Sequence, residues 1–149
     1  MYRWLDHTAE LELEVEAANE REVLSDALAA LRELLEGEEA GDSEERTPAS
    51  LERRAVHAAA PLERRTVRAA AGDRPALLAA WLEELLFLSE SEGFIPIRVE
   101  ELSLEEGMLS AIVAGRVGEP RPLVKAVTYH RLQFEPSERG YRARVVFDV

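Results

Sequence analysis

An α+β domain, in which a mainly antiparallel β-sheet carries two α-helices packed on one face, is the fold class the sequence predicts. Three observations predict it: strict alternation of apolar and acidic residues near the N-terminus, two apolar stripes at helical spacing, and four β-like segments in succession after the second stripe. The 149 residues suit one domain spanning 1–149, and a composition that is 46% hydrophobic and 32% charged supports a real core beneath a well-solvated surface.

The alternation lies in LELEVEA (11–17), where Leu11, Leu13 and Val15 interleave with Glu12, Glu14 and Glu16. Period two predicts a strand with one buried face. In the segment that follows, Asn19 is placed to cap a helix, with Glu22 three residues on as in a capping box. Val23, Leu24, Ala27, Leu28, Leu31, Leu34 and Leu35 form the helix's apolar stripe, and Gly37 closes it. Residues 37–60 begin with polar, Gly-, Ser-, Thr- and Pro-containing sequence and read as a flexible insertion. LERRAVHAAAP (51–61) and LERRTVRAAAG (62–72) resemble each other, either as a local duplication or as Arg/Ala bias. The second copy is the better strand candidate, and the first is an added edge strand or more of the loop.

A second amphipathic helix is predicted from Asp73, its cap, to Gly93, with Leu77, Leu78, Trp81, Leu82, Leu85, Leu86 and Leu88 in the core. Strands are expected over about 94–104, 108–117, 124–135 and 141–149, with Gly107 and Gly140 at turns.

With no cysteine, disulfides and thiolate metal sites are excluded. The opening MYRWLDHTAE has no apolar core of a secretory signal, and no apolar run is long enough to span a bilayer. A cytoplasmic protein with no membrane role is therefore expected. The net charge of −12 is unevenly placed. Residues 1–45 hold 15 acidic and 3 basic side chains, and the rest hold 15 of each. Such a chain repels phosphate backbones, so direct tight binding of nucleic acid is not expected, whereas metal ions or a basic protein partner suit it. The same excess also serves solubility.

No P-loop, GxGxxG, HExxH or GxSxG signature is present, and His7, His57 and His130 have no metal-ligand spacing along a helix. No catalytic residue is assigned. Three segments stand out: Asp6-His7-Thr8-Ala9-Glu10, then Val124-Lys125-Ala126-Val127-Thr128-Tyr129-His130, then Val145-Val146-Phe147-Asp148-Val149. In the last, alternation sets Asp148 opposite in direction to Phe147, so a buried Phe147 leaves Asp148 exposed. Glu10 falls in phase with Glu12, Glu14 and Glu16, which equally makes it one more acid on a solvated strand face. Lys125 is the single lysine beside 17 arginines, a compact point charge where a planar guanidinium is otherwise the rule. Alternation puts Lys125 and His130 on opposite faces unless a bulge intervenes. Asp6 suits a turn or cap as well as a ligand role, and His7 and His130 suit structural roles as well as functional ones.

The box DHTA[DE], a long helix, WLEELLFL, VKAVTYH and a final FDV, in that order, resemble the archease family over the whole chain. The resemblance implies an archease-like α+β fold and a non-catalytic partner of an RtcB-type tRNA-splicing RNA ligase, which promotes guanylylation of the ligase and its repeated turnover. It further implies a metal site, described with calcium, formed by Glu10, Asp148 and the terminal carboxylate of Val149. Hard cations take several oxygen ligands at roughly 2.3–2.6 Å, which these groups supply. The family usually has Asp where this chain has Glu10. The extra methylene costs more rotamer entropy on ordering and puts ion preference in question. Lys125 could balance the carboxylates or reach the ligase's nucleotide site. Two other classes compete: a general adaptor or chaperone-like binding module without ligase specificity, and a metal-dependent hydrolase built on Glu10 and Asp148. The hydrolase lacks an evident general base.

Overall fold

A computed structural model describes residues 1–7, 9–37 and 61–149, and these described residues form seven strands and two helices. The order is β1 (Tyr2–His7), β2 (Glu10–Ala17), α1 (Glu20–Glu36), β3 (Glu63–Ala70), α2 (Arg74–Glu92), β4 (Phe94–Glu105), β5 (Met108–Val117), β6 (Ala126–Ser137) and β7 (Gly140–Asp148). The expected insertion at 37–60, the first LERR copy and His57 lie outside the described residues beyond Gly37.

The predicted class holds, with one refinement: the strands divide into two antiparallel sheets. One has the order β1-β2-β7-β6 and the other β3-β5-β4. Helix α1 packs on β2 and β7 of the first sheet and on β4 of the second, and α2 packs on β6, β3, β4 and β5. The core therefore lies where both sheets meet the helices. Trp81, Phe94, Phe147, Leu13, Leu24, Leu28 and Leu31 are fully buried there. Leu34 and Leu88, expected in the core, are only partly buried and pack against it.

Each helix begins and ends as its sequence dictates. The Asn19 side chain accepts from Glu22 N at 2.9 Å, and the Glu22 carboxylate accepts from Ala18 N at 3.3 Å, one residue outside the usual reciprocal bond. Gly37, at φ 74°, turns the chain through the left-handed region that a side chain resists. Asp73 accepts from Ala76 N at 2.8 Å, with Pro75 in the first turn.

Strand β1 lies outside the expected element order. Its Tyr2 and Trp4 pair with Val15 and Leu13 across β2. On the helix side both rings meet one acid: Tyr2 OH donates to Glu33, and Trp4 Nε1 donates to Glu33 Oε2 at 3.3 Å. Burial and the Glu33 bond push the Tyr2 phenol well above its ordinary range.

Strand β6 carries the main irregularity of the first sheet. Thr128 pairs with Val146 and Gln133 with Arg144, so residues 129–132 lie against Val145 alone. This wide bulge lets Val127 and Phe134, an odd number of positions apart, both face the core. Among the described residues, no helix is long and apolar enough to cross a membrane.

Candidate functional site

Strands β2 and β7 run antiparallel in a register that sets Glu10 directly opposite Asp148. Directly opposed residues of an antiparallel pair project from the same face, with Cβ atoms about 4.5–5.5 Å apart. The next pairs on that face are Glu12 with Val146, Glu14 with Arg144 and Glu16 with Arg142. Across the sheet, His7 pairs with Glu10 on one side and Ala126 with Asp148 on the other. The backbone thus lines up His7, Glu10, Asp148 and Ala126. Asp6 pairs with Leu11, one step out of phase; the side chains of Asp6 and His7 lie outside the described residues.

Phe147 is fully buried and Asp148 exposed, as alternation requires. Val149 continues the pairing beyond β7, its N–H donating to Ala9 O at 3.2 Å, while Lys125 N donates to Asp148 O at 2.8 Å. These bonds bring the first box, the lysine-bearing segment and the last residues together at one end of the strands. Lys125 is exposed and immediately precedes β6, whose first residue Ala126 faces Asp148. His130 sits in the bulge, exposed, with its N–H donating to Thr128 Oγ1 at 3.3 Å. The bulge breaks the alternation on which a simple face assignment of His130 depends.

Alternation treats the β2 acids as one solvated row, and the structure distinguishes them. Glu14 accepts from Arg3 Nε at 2.7 Å and from Arg144 at 2.9 Å, and Arg142 lies 3.4 Å from Glu16. Burial pushes the Glu14 carboxyl up, but the bonds from Arg3 and Arg144 outweigh it and hold the group below the usual glutamate range. Glu12 is only 3% exposed. Arg131, projecting from the bulge, lies 3.6 Å from Glu12 and 3.8 Å from Glu10, and Arg144 Nε lies 3.9 Å from Glu12. The acids of this face of β2 are thus each met by arginines from β6 and β7. Asp148, on the same face, has no ion-pair partner among the described residues.

Sequence reasoning missed Arg131 and the burial of Glu12. A signal was available in the odd spacing of Val127 and Phe134, which an unbroken strand cannot bury together. Two non-glycine residues with positive φ occur among the described residues, Ala9 at 59° and Arg131 at 56°. Left-handed backbone costs an L-residue about 1–2 kcal/mol. Both positions border Glu10: Ala9 precedes it in the tight β1–β2 turn, and Arg131 reaches over it from the bulge.

A hard divalent cation would be a chemical match for two carboxylates facing each other across a strand pair. Like charges directly opposed are otherwise unfavourable. Among the described residues no three His, Asp or Glu side chains converge as a ready-made cage.

Among the described residues, two helices serving two antiparallel sheets, with Glu10 facing Asp148 across the inner strands β2 and β7, define a mainly antiparallel α+β protein. The chain belongs to the archease family: the family model described as "Archease protein family (MTH1598/TM1083)" matches residues 2–149. It is 31% identical over 158 aligned residues to the protein archease of Methanosarcina mazei, covering 99% of this chain and 95% of that one. Its match to the archease of Methanosarcina acetivorans is 40% over 86 residues, or 52% of this chain and 59% of that protein. In fold it resembles the solution structure of Methanobacterium thermoautotrophicum protein 1598, with TM-score 0.62, 21% identity and coverage of 99% and 98% of the two chains. It also resembles the crystal structure of a Thermotoga maritima archease described as a possible chaperone, with TM-score 0.57, 21% identity and coverage of 100% and 98%.

Proposed function

We propose that this archease-family chain is a non-catalytic accessory protein that activates an RtcB-type RNA ligase, promoting its guanylylation and multiple turnover in tRNA splicing or RNA repair. The working surface is the end of the sheet where the inner strands β2 and β7 bring Glu10 opposite Asp148. Glu10, Asp148 and a free carboxylate at Val149 would hold a divalent cation there, with calcium the best match to an all-oxygen donor set. Held there by Glu10 and Asp148, such an ion would supply a positive centre for an anionic group of a partner. The exposed Lys125, whose N–H donates to the Asp148 carbonyl, adds a second cationic contact nearby.

The register of Glu10 with Asp148 is the observation that carries the reading. Family membership over residues 2–149 supports the choice of partner. The test compares ligase guanylylation alone, with wild-type chain and with Asp148→Ala. Faster guanylylation and more turnovers with wild type, and neither with Asp148→Ala, are expected. Equal ligase turnover with and without the wild-type chain would defeat the proposal.

A second reading, a general adaptor or chaperone-like module, has one specific observation behind it. Phe87 on α2 is 62% exposed and Tyr129 in the bulge 61%, and the Tyr129 hydroxyl donates to Glu83 Oε1 one helical turn before Phe87. The Glu83 charge, with burial and that bond adding to it, raises the Tyr129 phenol above its ordinary value. A pull-down dominated by one ligase supports activation, and a broad set of unrelated clients supports the adaptor.

A further inference from the structure

The bulge of β6 holds a cation where the proposed ion would act. Residues 129–132 stand out from the ladder against the single residue Val145, and within them Arg131 takes a left-handed backbone at φ 56°. That conformation is unfavourable for arginine and natural for glycine. Strain of this kind persists only where the surrounding structure fixes it, and it gathers at functional positions. Here its effect is to bring the guanidinium back over the sheet, 3.8 Å from Glu10 and 3.6 Å from the buried Glu12.

Those distances are ion-pair distances, longer than hydrogen bonds, and the Arg131 side chain is 41% exposed. A guanidinium shared loosely between two carboxylates neutralises them without committing its donors to either. Exposed pairs of this type are weak and easily exchanged. A divalent cation drawn to Glu10 and Asp148 carries twice the charge in a smaller volume and repels the guanidinium.

We propose that Arg131 is a built-in counter-cation for Glu10 and Glu12 that a divalent ion displaces, so that ion binding is opposed by Arg131 and transmitted to the Tyr129–Leu132 bulge. The inference rests on the metal reading above and adds its regulation. Arg131 sets the ion concentration at which the edge fills. The displaced bulge carries the exposed Tyr129 and His130, so occupancy of the edge is displayed on the neighbouring surface.

The test is calcium titration by calorimetry of the wild-type chain, Arg131→Gly, Arg131→Lys and Arg142→Ala. It is joined by amide and arginine Nε–H NMR of the wild type during the same titration. Glycine accepts the left-handed backbone and removes the guanidinium. Asn, which also tolerates that region, replaces it with the same expectation if the glycine variant does not melt cooperatively. Arg131→Gly is expected to bind calcium about three- to tenfold tighter, the range set by the loss of two weak pairs. Arg131→Lys is expected to stay near wild type. Arg142→Ala, which removes a charge from the same face beside Glu16, controls for net charge and is expected to change affinity less than about twofold. In the NMR titration the 129–132 amides and the Arg131 Nε–H shift together. Unchanged or weaker binding by Arg131→Gly, an equal gain in Arg142→Ala, or a bulge that does not respond to calcium overturns the Arg131 proposal alone. Absence of calcium binding in every variant, wild type included, overturns both it and the metal reading.

Discussion

Replacing Asp148 by Asn tests the acidic edge through stability alone, without a partner protein. Asp148 and Glu10 are directly opposed on β7 and β2, and no cation among the described residues pairs with Asp148. With the charges about 5 Å apart, Coulomb's law gives a repulsion of about 0.8 kcal/mol at the dielectric of water and about 3 kcal/mol at an effective value of about 20. Asp148 is exposed and Arg131 lies near Glu10, so the lower end applies, and we take about 0.5–1 kcal/mol. In chelator, Asp148→Asn is therefore expected to be more stable than wild type, with Tm higher by about 1–4 °C for a domain of this size. On the proposed metal reading, calcium is expected to reverse the order. At about a hundred times its dissociation constant it stabilises wild type by about 2.7 kcal/mol, or roughly 5–10 °C, and leaves the variant nearly unmoved. The assay is a pair of calorimetric melts for each protein, with calcium and with chelator. A variant less stable than wild type in chelator would show that the two carboxylates do not repel, and an equal calcium-induced rise in both would remove Asp148 from the ligands.

Three further outcomes are expected. Glu14, held below its usual pKa, contributes stability that is present above its unfolded value of about 4.3 and is lost as pH falls through the folded value. Urea titrations should thus show Glu14→Gln less stable than wild type by about 1 kcal/mol at neutral pH, the gap closing between about pH 5 and pH 2. A methyl group at Gly115 would fall on the Ile95 carbonyl oxygen and within 2.5 Å of Phe94 Cζ, so Gly115→Ala should cost about 1–3 kcal/mol by denaturant melt. Gly72→Ala, which meets nothing within 4 Å, should stay within about 0.5 kcal/mol of wild type. Residues appended after Val149 convert its carboxylate to an amide, so a C-terminally extended form should bind calcium more weakly by calorimetry and activate the ligase less. Undiminished affinity would remove that group from the proposed ligands.

What could be read directly from the sequence was local. The caps of α1 and α2 are set by Asn19, Asp73, Gly37 and Gly93 within a turn of each helix end, and they appear where the residues place them. The orientation of Asp148 follows from that of Phe147 one residue away. What could not be read was set by distant parts of the chain. Strand β1 has Leu5 on its outer face, which blurs the alternation, and its Tyr2 and Trp4 are held by Glu33 on a helix not yet formed when the strand is read. The division into two sheets depends on which strands meet across the helices, and no single segment carries that information. Glu12 looks like its neighbours in LELEVEA. It is buried because Val146 faces it across the ladder, and Arg131 and Arg144 approach it from the far end of the chain.

The place of β7 between β2 and β6 has a consequence for biosynthesis. The three-stranded sheet draws on residues 63–117, and all of its strands are synthesised before β6 and β7. The four-stranded sheet must wait for its penultimate member in spatial order, which is the last strand translated, before β2 and β6 have anything to pair with between them. Contacts of such long sequence separation form late and slowly. Nascent or prematurely terminated chains therefore hold Glu10 with no facing carboxylate. Any partner that senses the acidic edge engages only molecules whose synthesis has run through β7.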